Sequence, residues 1–462
     1  MLSDALTILV FIMVVILIIN LAACIFTLLL SLFQFRSFKR IAPDKTKDSP
    51  TQDLPFVSVH VAVHDEPADL VIATLNALAA LRYERFEVVL VDNNTPDAST
   101  WRPVRDHMAR LGPKFRFFAR QNVRGAKAGA LNIARSEMDN SATFIAVIDA
   151  DYQVVPDFLT LAVASCIDAD FVQFPQAYRN SNKANSVARE LSDYFTLYPK
   201  SANRFGSALP TGTLSMIRVG WLHRVGGWPT TSITEDAEIG VALWRAGANG
   251  LFVDKIVGHG LLPVNLDGLR IQRERWVAGN AQTLLGCLRT LRCSPTGALS
   301  VVTQLTAWPA FLAAPLVALT ITLAFRLVSV APLSPSLRIA ETASIATIGI
   351  TVLALVFKAL ATSRIDTLAV KSALLWTSSF AWLPVLWGRT LGFRRTPKTA
   401  GGPQSRLSVD LIGCVSAGLV ATGFLWVGQP LTAIIISFTS AGLATAPFLD
   451  RSLRRCALAQ RG

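Results

Sequence analysis

The chain has 462 residues, more than the roughly 150 of one ordinary domain, so at least two structural units are expected. Hydrophobic residues make up 52% and charged residues 16%, well below the roughly 25% charged of a soluble domain, which excludes disorder and argues against a wholly soluble protein. The net charge of +13 is assigned to membrane-flanking loops and not to nucleic acid, because the basic residues follow the apolar runs and form no single stripe.

Residues 5–35 carry no charge and are followed by Arg36, Lys39 and Arg40. The run is long enough to cross about 30 Å of hydrocarbon. With the positive side after it, the N-terminus is expected outside and the following residues in the cytoplasm. Residues 1–36 are therefore expected as a transmembrane helix, and 37–292, mixed in polarity, as a cytoplasmic domain.

Within that domain short apolar runs alternate with helical patterns. Phe56-Val-Ser-Val-His-Val-Ala-Val63, Phe86-Glu-Val-Val-Leu-Val91 and Thr143-Phe-Ile-Ala-Val-Ile148 read as buried parallel strands. Residues 68–81, 98–111 and 126–138 between them have helical spacing. The alternation predicts a doubly wound α/β sheet, whose ligands bind at the carboxyl ends of strands. The residues there are His64-Asp65-Glu66, Asp92-Asn93-Asn94 and Asp149-Ala150-Asp151. No glycine-rich phosphate loop is present, which lowers the case for dinucleotide enzymes and P-loop NTPases. Asp-x-Asp at a strand end can instead bind a nucleotide diphosphate through a divalent cation, Mg2+ or Mn2+, with phosphate oxygens completing the shell. Thr234-Glu235-Asp236 opens a further helical pattern, and Gln272-Arg273-Glu274-Arg275-Trp276 closes the domain. The six cysteines and five histidines are scattered, with no Cys-x-x-Cys pair, so neither a disulfide framework nor a zinc site is signalled.

Apolar character returns over 293–462. The uncharged run 293–325, interrupted by Pro309 and Pro315, is expected as an interfacial piece and a span reaching about Val330. A second span covers 342–357. Residues 372–388, with Trp376, Trp382, Trp387 and Pro384 between basic loops, are expected as one helix lying in the cytoplasmic interface. The loop 389–406 follows, then a hairpin of spans, 411–427 and 431–449. Five spans in all would leave the C-terminus inside.

In this order, the motifs resemble those of the membrane-integrated processive synthases of glycosyltransferase family 2, such as cellulose, hyaluronan and chitin synthases. The resemblance implies a GT-A-type α/β domain inserted between transmembrane helices. It implies nucleotide-sugar contacts from Glu66, Asp92, Lys127 (in Arg124-Gly-Ala-Lys-Ala-Gly-Ala-Leu-Asn132), Asp149, Gln272 and Arg275. It implies a metal on Asp149 and Asp151, a general base at Asp236 beside Glu235, and an acceptor contact at Trp276. Phe393-Arg-Arg-Thr396-Pro-Lys398 is similar to the gating loop of cellulose synthases, with Arg395 where Val is usual. Two other segments depart from the family pattern: Leu209-Pro-Thr-Gly212 stands where many processive members have Phe-Phe-Cys-Gly, and Asp-Asn-Asn where they have Asp-Asp-Gly.

The expected activity is inverting transfer from a UDP-hexose, UDP-glucose or similar, to a growing β-linked polysaccharide, coupled to its passage across the bilayer. The expected location is an inner or plasma membrane. Ceramide glucosyltransferases, which add one sugar to a lipid, carry similar motifs; the C-terminal helices and the 393–398 loop favour the polymer over a lipid acceptor. The complete acidic set argues against a catalytically silent relative.

Overall fold

The computed structural model describes residues 54–179, 185–287, 295–309, 313–328, 332–361, 366–389, 407–426, 428–430 and 444–458, with isolated positions elsewhere, Thr396 among them. Almost all of the expected helix 1–36, and Phe393 and Lys398 of the expected gating loop, lie outside the described residues.

The first half of the domain follows the alternation in the sequence. Strands β1 (Val57–Val63), β2 (Phe86–Asn93), β3 (Phe115–Arg120) and β4 (Phe144–Val147) are parallel and ordered β3-β2-β1-β4. Helices α1 (Ala68–Ala79), α2 (Ala98–Leu111) and α3 (Ala126–Glu137) are the crossovers. β1 and β2 are covered on both faces and buried almost throughout, which is why they read as near-continuous apolar runs. β3 is absent from the sequence expectation because Arg116 and Arg120 interrupt its apolar run. Its partly covered edge position accommodates them, with Arg116 3.1 Å from Glu87 and Arg120 3.1 Å from Glu137.

Beyond β4 the sheet departs from the parallel strand–helix alternation of its first half. β6 (Phe171–Gln173), β8 (Ser215–Arg218) and β9 (Gly250–Phe252) complete a seven-stranded sheet of order β3-β2-β1-β4-β8-β6-β9. β8 runs antiparallel to both β4 and β6. Strand direction depends on long-range pairing, and a four-residue segment such as Ser-Met-Ile-Arg carries no sign of it. A small second sheet, β5 (Gln153–Val154), β10 (Gly258–Gly260) and β7 (Ala177–Tyr178), lies beyond the end of β4. Helices α4 (Phe158–Ser165), α5 (Ser186–Leu197), α6 (Glu235–Arg245), α7 (Leu266–Cys287) and α8 (Pro295–Leu305) follow in chain order.

The C-terminal helices are Ala313–Val328, Pro335–Ala361, Thr367–Ala373, Leu375–Phe380, Leu383–Leu386, Leu407–Trp426 and Ala446–Leu458. Residues 372–388 are thus corrected from one helix to parts of three short ones. Pro384 sits at the start of the last, where its missing N–H is harmless; inside a continuous helix it would break the hydrogen-bond ladder. Among the described residues no helix is long and apolar enough to cross a membrane. Helix Ala313–Val328, for one, has 16 residues, about 24 Å at 1.5 Å each, against about 30 Å of hydrocarbon.

Two apolar clusters organise this region. One is shared with the α/β domain: Val187 and Leu191 of α5 and Leu266 and Leu269 of α7 meet Val370, Leu374, Leu449 and Leu453. The other is internal to the helices and includes Leu319, Ile348, Ala421 and Phe424. Buried Asp450, near the start of the last helix, accepts from the Leu266 N–H at 2.9 Å and so caps α7 from outside its own segment.

Candidate active site

A cleft of about 360 Å³ opens over the carboxyl ends of β1, β2 and β4. At one end it is built by sharp turns. Asp65 and Asn94 leave their strands with φ of 49° and 57°, a region that Asn and Asp tolerate better than most residues. Asn94 exchanges two hydrogen bonds with Val123, Asn93 donates to Ala126 O at 2.9 Å, and the His64 ring bonds Asn93 O at 2.7 Å. These contacts fix the start of α3, which carries Lys127, beside β1 and β2. Glu66 lines the same end. Asp92 does not line the cleft; it is buried at the end of β2, where burial raises its pKa.

Lys127 is the electrostatic centre. Its ammonium donates to Asp149 Oδ1 at 2.5 Å and to Gly212 O at 2.6 Å, and lies 3.4 Å from Glu235 Oε1. Burial alone would favour the neutral amine, but Asp149, Glu235 and Asp236 outweigh it and hold the charge on. Asp149 in turn has its pKa raised by burial, against the pull of Lys127. Asp151 accepts from the Leu261 N–H at 3.1 Å. Gly212 has φ +87°, and a side chain there would approach within 3.0 Å of Asp236 Oδ2, so Gly212 keeps the carbonyl and the carboxylate close.

Asp236, in the first turn of α6, has its pKa pushed up to about 7. Burial is the largest cause and the neighbouring Glu235 carboxylate adds to it, while Lys127 opposes. The loop before it is clamped to α7: Ser232 donates to Gly279 O at 3.0 Å and Gln282 accepts from Ile233 N–H at 3.2 Å. Trp228 and Asn132 exchange hydrogen bonds of 2.9 and 2.7 Å across 96 residues, joining the Gly226-Gly-Trp-Pro229 turn to α3.

The opposite wall comes from α7, whose Gln272, Arg275 and Trp276 line the cleft. Thr396 lines it too, so of the expected loop residues the one described is at the site. Among the described residues Gln272 Oε1 and Thr396 Oγ1 are buried there without a hydrogen-bond partner, and buried polar atoms are normally satisfied. A smaller cavity of about 50 Å³ adjoins and shares Asp236, Trp276 and Gln176 with the cleft. Gln176 escaped the sequence reading. Its oxygen accepts from Tyr152 and Tyr178 and its amide donates to Thr211 O. The available signal was its place, three residues after β6, the kind of position where the other site residues stand.

Asp149 and Asp151 bring hard oxygen ligands to one strand end, a donor set suited to Mg2+ or Mn2+. Among the described residues they are not joined by a third His, Cys, Asp or Glu. Such a cation would therefore take its remaining ligands from phosphate and water, and on those terms the residues present fit it.

The family model for glycosyl transferase family group 2 matches residues 144–394, more than half of the chain. The chain belongs to glycosyltransferase family 2. A second model, for glycosyl transferase family 2, matches 58–226, so together they span both walls of the cleft. Glucomannan 4-beta-mannosyltransferase 7 of Arabidopsis thaliana is 28% identical over 210 residues, 43% of this chain and 38% of that protein. The UDP-forming cellulose synthase catalytic subunit of Xanthomonas axonopodis pv. citri is 25% identical over 240 residues, 49% and 32% of the two chains. The chain thus spans well under half the length of these relatives. Among solved structures, a Pyrobaculum calidifontis mannosyltransferase in complex with GDP-Man and Mn2+ aligns with a TM-score of 0.53 and 21% identity, over 80% of this chain and 99% of that one. That match speaks for the fold, the GT-A-like α/β glycosyltransferase fold with a mixed sheet. The chain is a glycosyltransferase.

Proposed function

We propose that this glycosyltransferase lengthens a β-linked polysaccharide from a nucleoside-diphosphate hexose, with inversion at the anomeric carbon and at a membrane. The carrying observation is that one cleft joins Lys127, Asp149 and Asp151 at the strand ends to Glu235–Asp236 and to Gln272, Arg275 and Trp276 of α7. In this reading Glu66 and the turns after β1 and β2 receive the nucleoside, and Asp92 supports them from beneath. Asp149 and Asp151 would hold a divalent cation, which supplies positive charge to the diphosphate. Lys127 and Arg275 face the same diphosphate, and Gln272 offers its unpartnered amide oxygen to a ligand hydroxyl.

Asp236 removes the proton from the acceptor hydroxyl as that oxygen attacks the anomeric carbon. The bond from that carbon to the diphosphate oxygen breaks, and the nucleoside diphosphate leaves with its electron pair. A carboxylate poised near pH 7 suits a base at neutral pH. Trp276 presents an aromatic face to the acceptor sugar. Thr396 at the cleft supports a closing role for the loop with Phe393 and Lys398.

The family resemblance and the apolar runs flanked by Lys and Arg support placing 1–36 and the C-terminal spans in the bilayer, with the N-terminus outside and the α/β domain and C-terminus in the cytoplasm. The named relatives, a 4-β-mannosyltransferase and a UDP-forming cellulose synthase, support a polysaccharide acceptor. UDP-glucose is taken as the donor, and GDP-mannose is the competitor that the mannosyl relatives bring. The test is to incubate membranes containing the full chain with radiolabelled UDP-glucose or GDP-mannose and to size the product. Polymer supports the reading, whereas a single-sugar lipid from either donor overturns the polysaccharide acceptor.

A further inference from the structure

Arg273 lies inside the Gln-x-x-Arg-Trp segment at a position that the segment's pattern leaves unspecified, yet it is more deeply buried than Gln272 or Trp276. It makes two hydrogen bonds, of 3.0 and 2.8 Å, to the Glu190 carboxylate on α5. Both side chains are about 4% exposed. The forked geometry fixes the plane of the guanidinium. That group lies 4.1 Å from the centre of the Trp308 ring and 5.5 Å from that of Trp276.

Tyr194, one helical turn beyond Glu190, stacks on Trp308 at 4.3 Å and 22°. Trp308 thus contacts both the Arg273 guanidinium and the Tyr194 ring, and Trp276 leans on it at 4.9 Å and 39°. Trp276, Trp308 and Tyr194 all line the smaller cavity beside Asp236.

We infer that the Glu190–Arg273 ion pair is the positioning element of the acceptor side: it sets Trp308, and through Trp308 the angle at which Trp276 meets a sugar ring. The inference rests on the proposed reading of Trp276 as the acceptor face. Replacing a buried ion pair by apolar groups of similar size is often neutral for stability. The double variant Glu190→Met/Arg273→Met therefore separates positioning from mere cohesion. A methionine pair keeps bulk between α5 and α7 and removes the cation from the two rings.

The measurement is transfer to a soluble β-1,4-linked gluco- or mannohexaose, with KM obtained separately for acceptor and donor, alongside the melting temperature. The expected result is a melting temperature within a few degrees of the parent and an acceptor KM raised about tenfold or more, with donor KM nearly unchanged. Such a factor corresponds to about 1.4 kcal/mol. Unchanged acceptor KM, or equal rises in both constants, overturns the positioning role. Should the double variant not fold, Arg273→Lys carries the same test, since it keeps the charge and loses the fork and the flat face. A parent that transfers no sugar to either hexaose removes the reading of Trp276 and this inference with it. A parent that transfers normally while the variants show no split removes the inference alone.

Discussion

At the residue scale, the proposed chemistry turns on a carboxyl group whose pKa is raised by burial and by the neighbouring Glu235. Asp236 with a pKa of about 7 is mostly neutral below that value and able to accept a proton only above it. kcat/KM is therefore expected to rise about tenfold per pH unit below 7 and to level off above. A profile flat from pH 5.5 to 8 would remove Asp236 as the base. Asp236→Asn, which cannot take the proton, should lower kcat by about 10²–10⁴-fold while donor binding persists. Asp151→Ala should abolish transfer and its stimulation by Mg2+ or Mn2+ together, read from a cation titration; full activity in excess chelator would dismiss the cation. Trp276→Ala tests the other wall. Losing an aromatic contact of about 1–1.5 kcal/mol should shorten the polymer more than it slows hydrolysis of the donor by water. Equal losses of both would mean that Trp276 supports the fold and not the acceptor.

At the element scale, the site depends on how closely α7 approaches the loop before α6. Gly279 makes that approach possible: a Cβ there would fall 2.4 Å from Thr234 Oγ1, within a helix that already receives a hydrogen bond from Ser232. Gly279→Ala must push Thr234, and with it Glu235 and Asp236, away from the cleft. Overpacking of this kind costs about 1–3 kcal/mol, so both the melting temperature and kcat should fall. A variant with parental kcat would show that the loop yields without disturbing the base. The motif segments were legible individually because their residue types are unusual at strand ends and helix starts. Their neighbours were less so. Gln176 and Tyr178 acquire meaning from the second sheet, whose strands are only two or three residues long and leave no periodic trace.

At the scale of the whole molecule, the C-terminal helices are joined to the catalytic domain through a shared apolar cluster and through the Asp450 cap on α7. Removing that carboxylate with Asp450→Ala leaves the buried Leu266 N–H without its partner, at a cost of about 1–3 kcal/mol. Lower thermal stability is expected, checked by a melting curve. Topology offers a separate test. In a cysteine-free background, exposed Arg389→Cys should resist an impermeant thiol reagent added outside intact cells and react once the membrane is opened. Efficient labelling from outside would place that segment across the bilayer and reverse the proposed orientation of the loop.

By itself, the sequence determined the parallel half of the sheet, since strands covered on both faces must be apolar throughout and the helices between them must be amphipathic. It also determined which side chains stand at the strand ends, and so the acidic and basic groups of the cleft. Only the tertiary structure decided that β8 runs antiparallel, because direction is chosen by pairing partners distant in the chain. It also divided 372–388 into short helices packed on α5 and α7, where a uniform apolar and aromatic composition predicts one. Most of all, it decided that Lys127 holds Asp149 and Glu235 at once, and that Arg273 lies beneath two tryptophans. Lys127 reaches Asp149 and Glu235 on separate segments, and Arg273 reaches Trp308 beyond the end of its own helix, and no local pattern encodes such contacts.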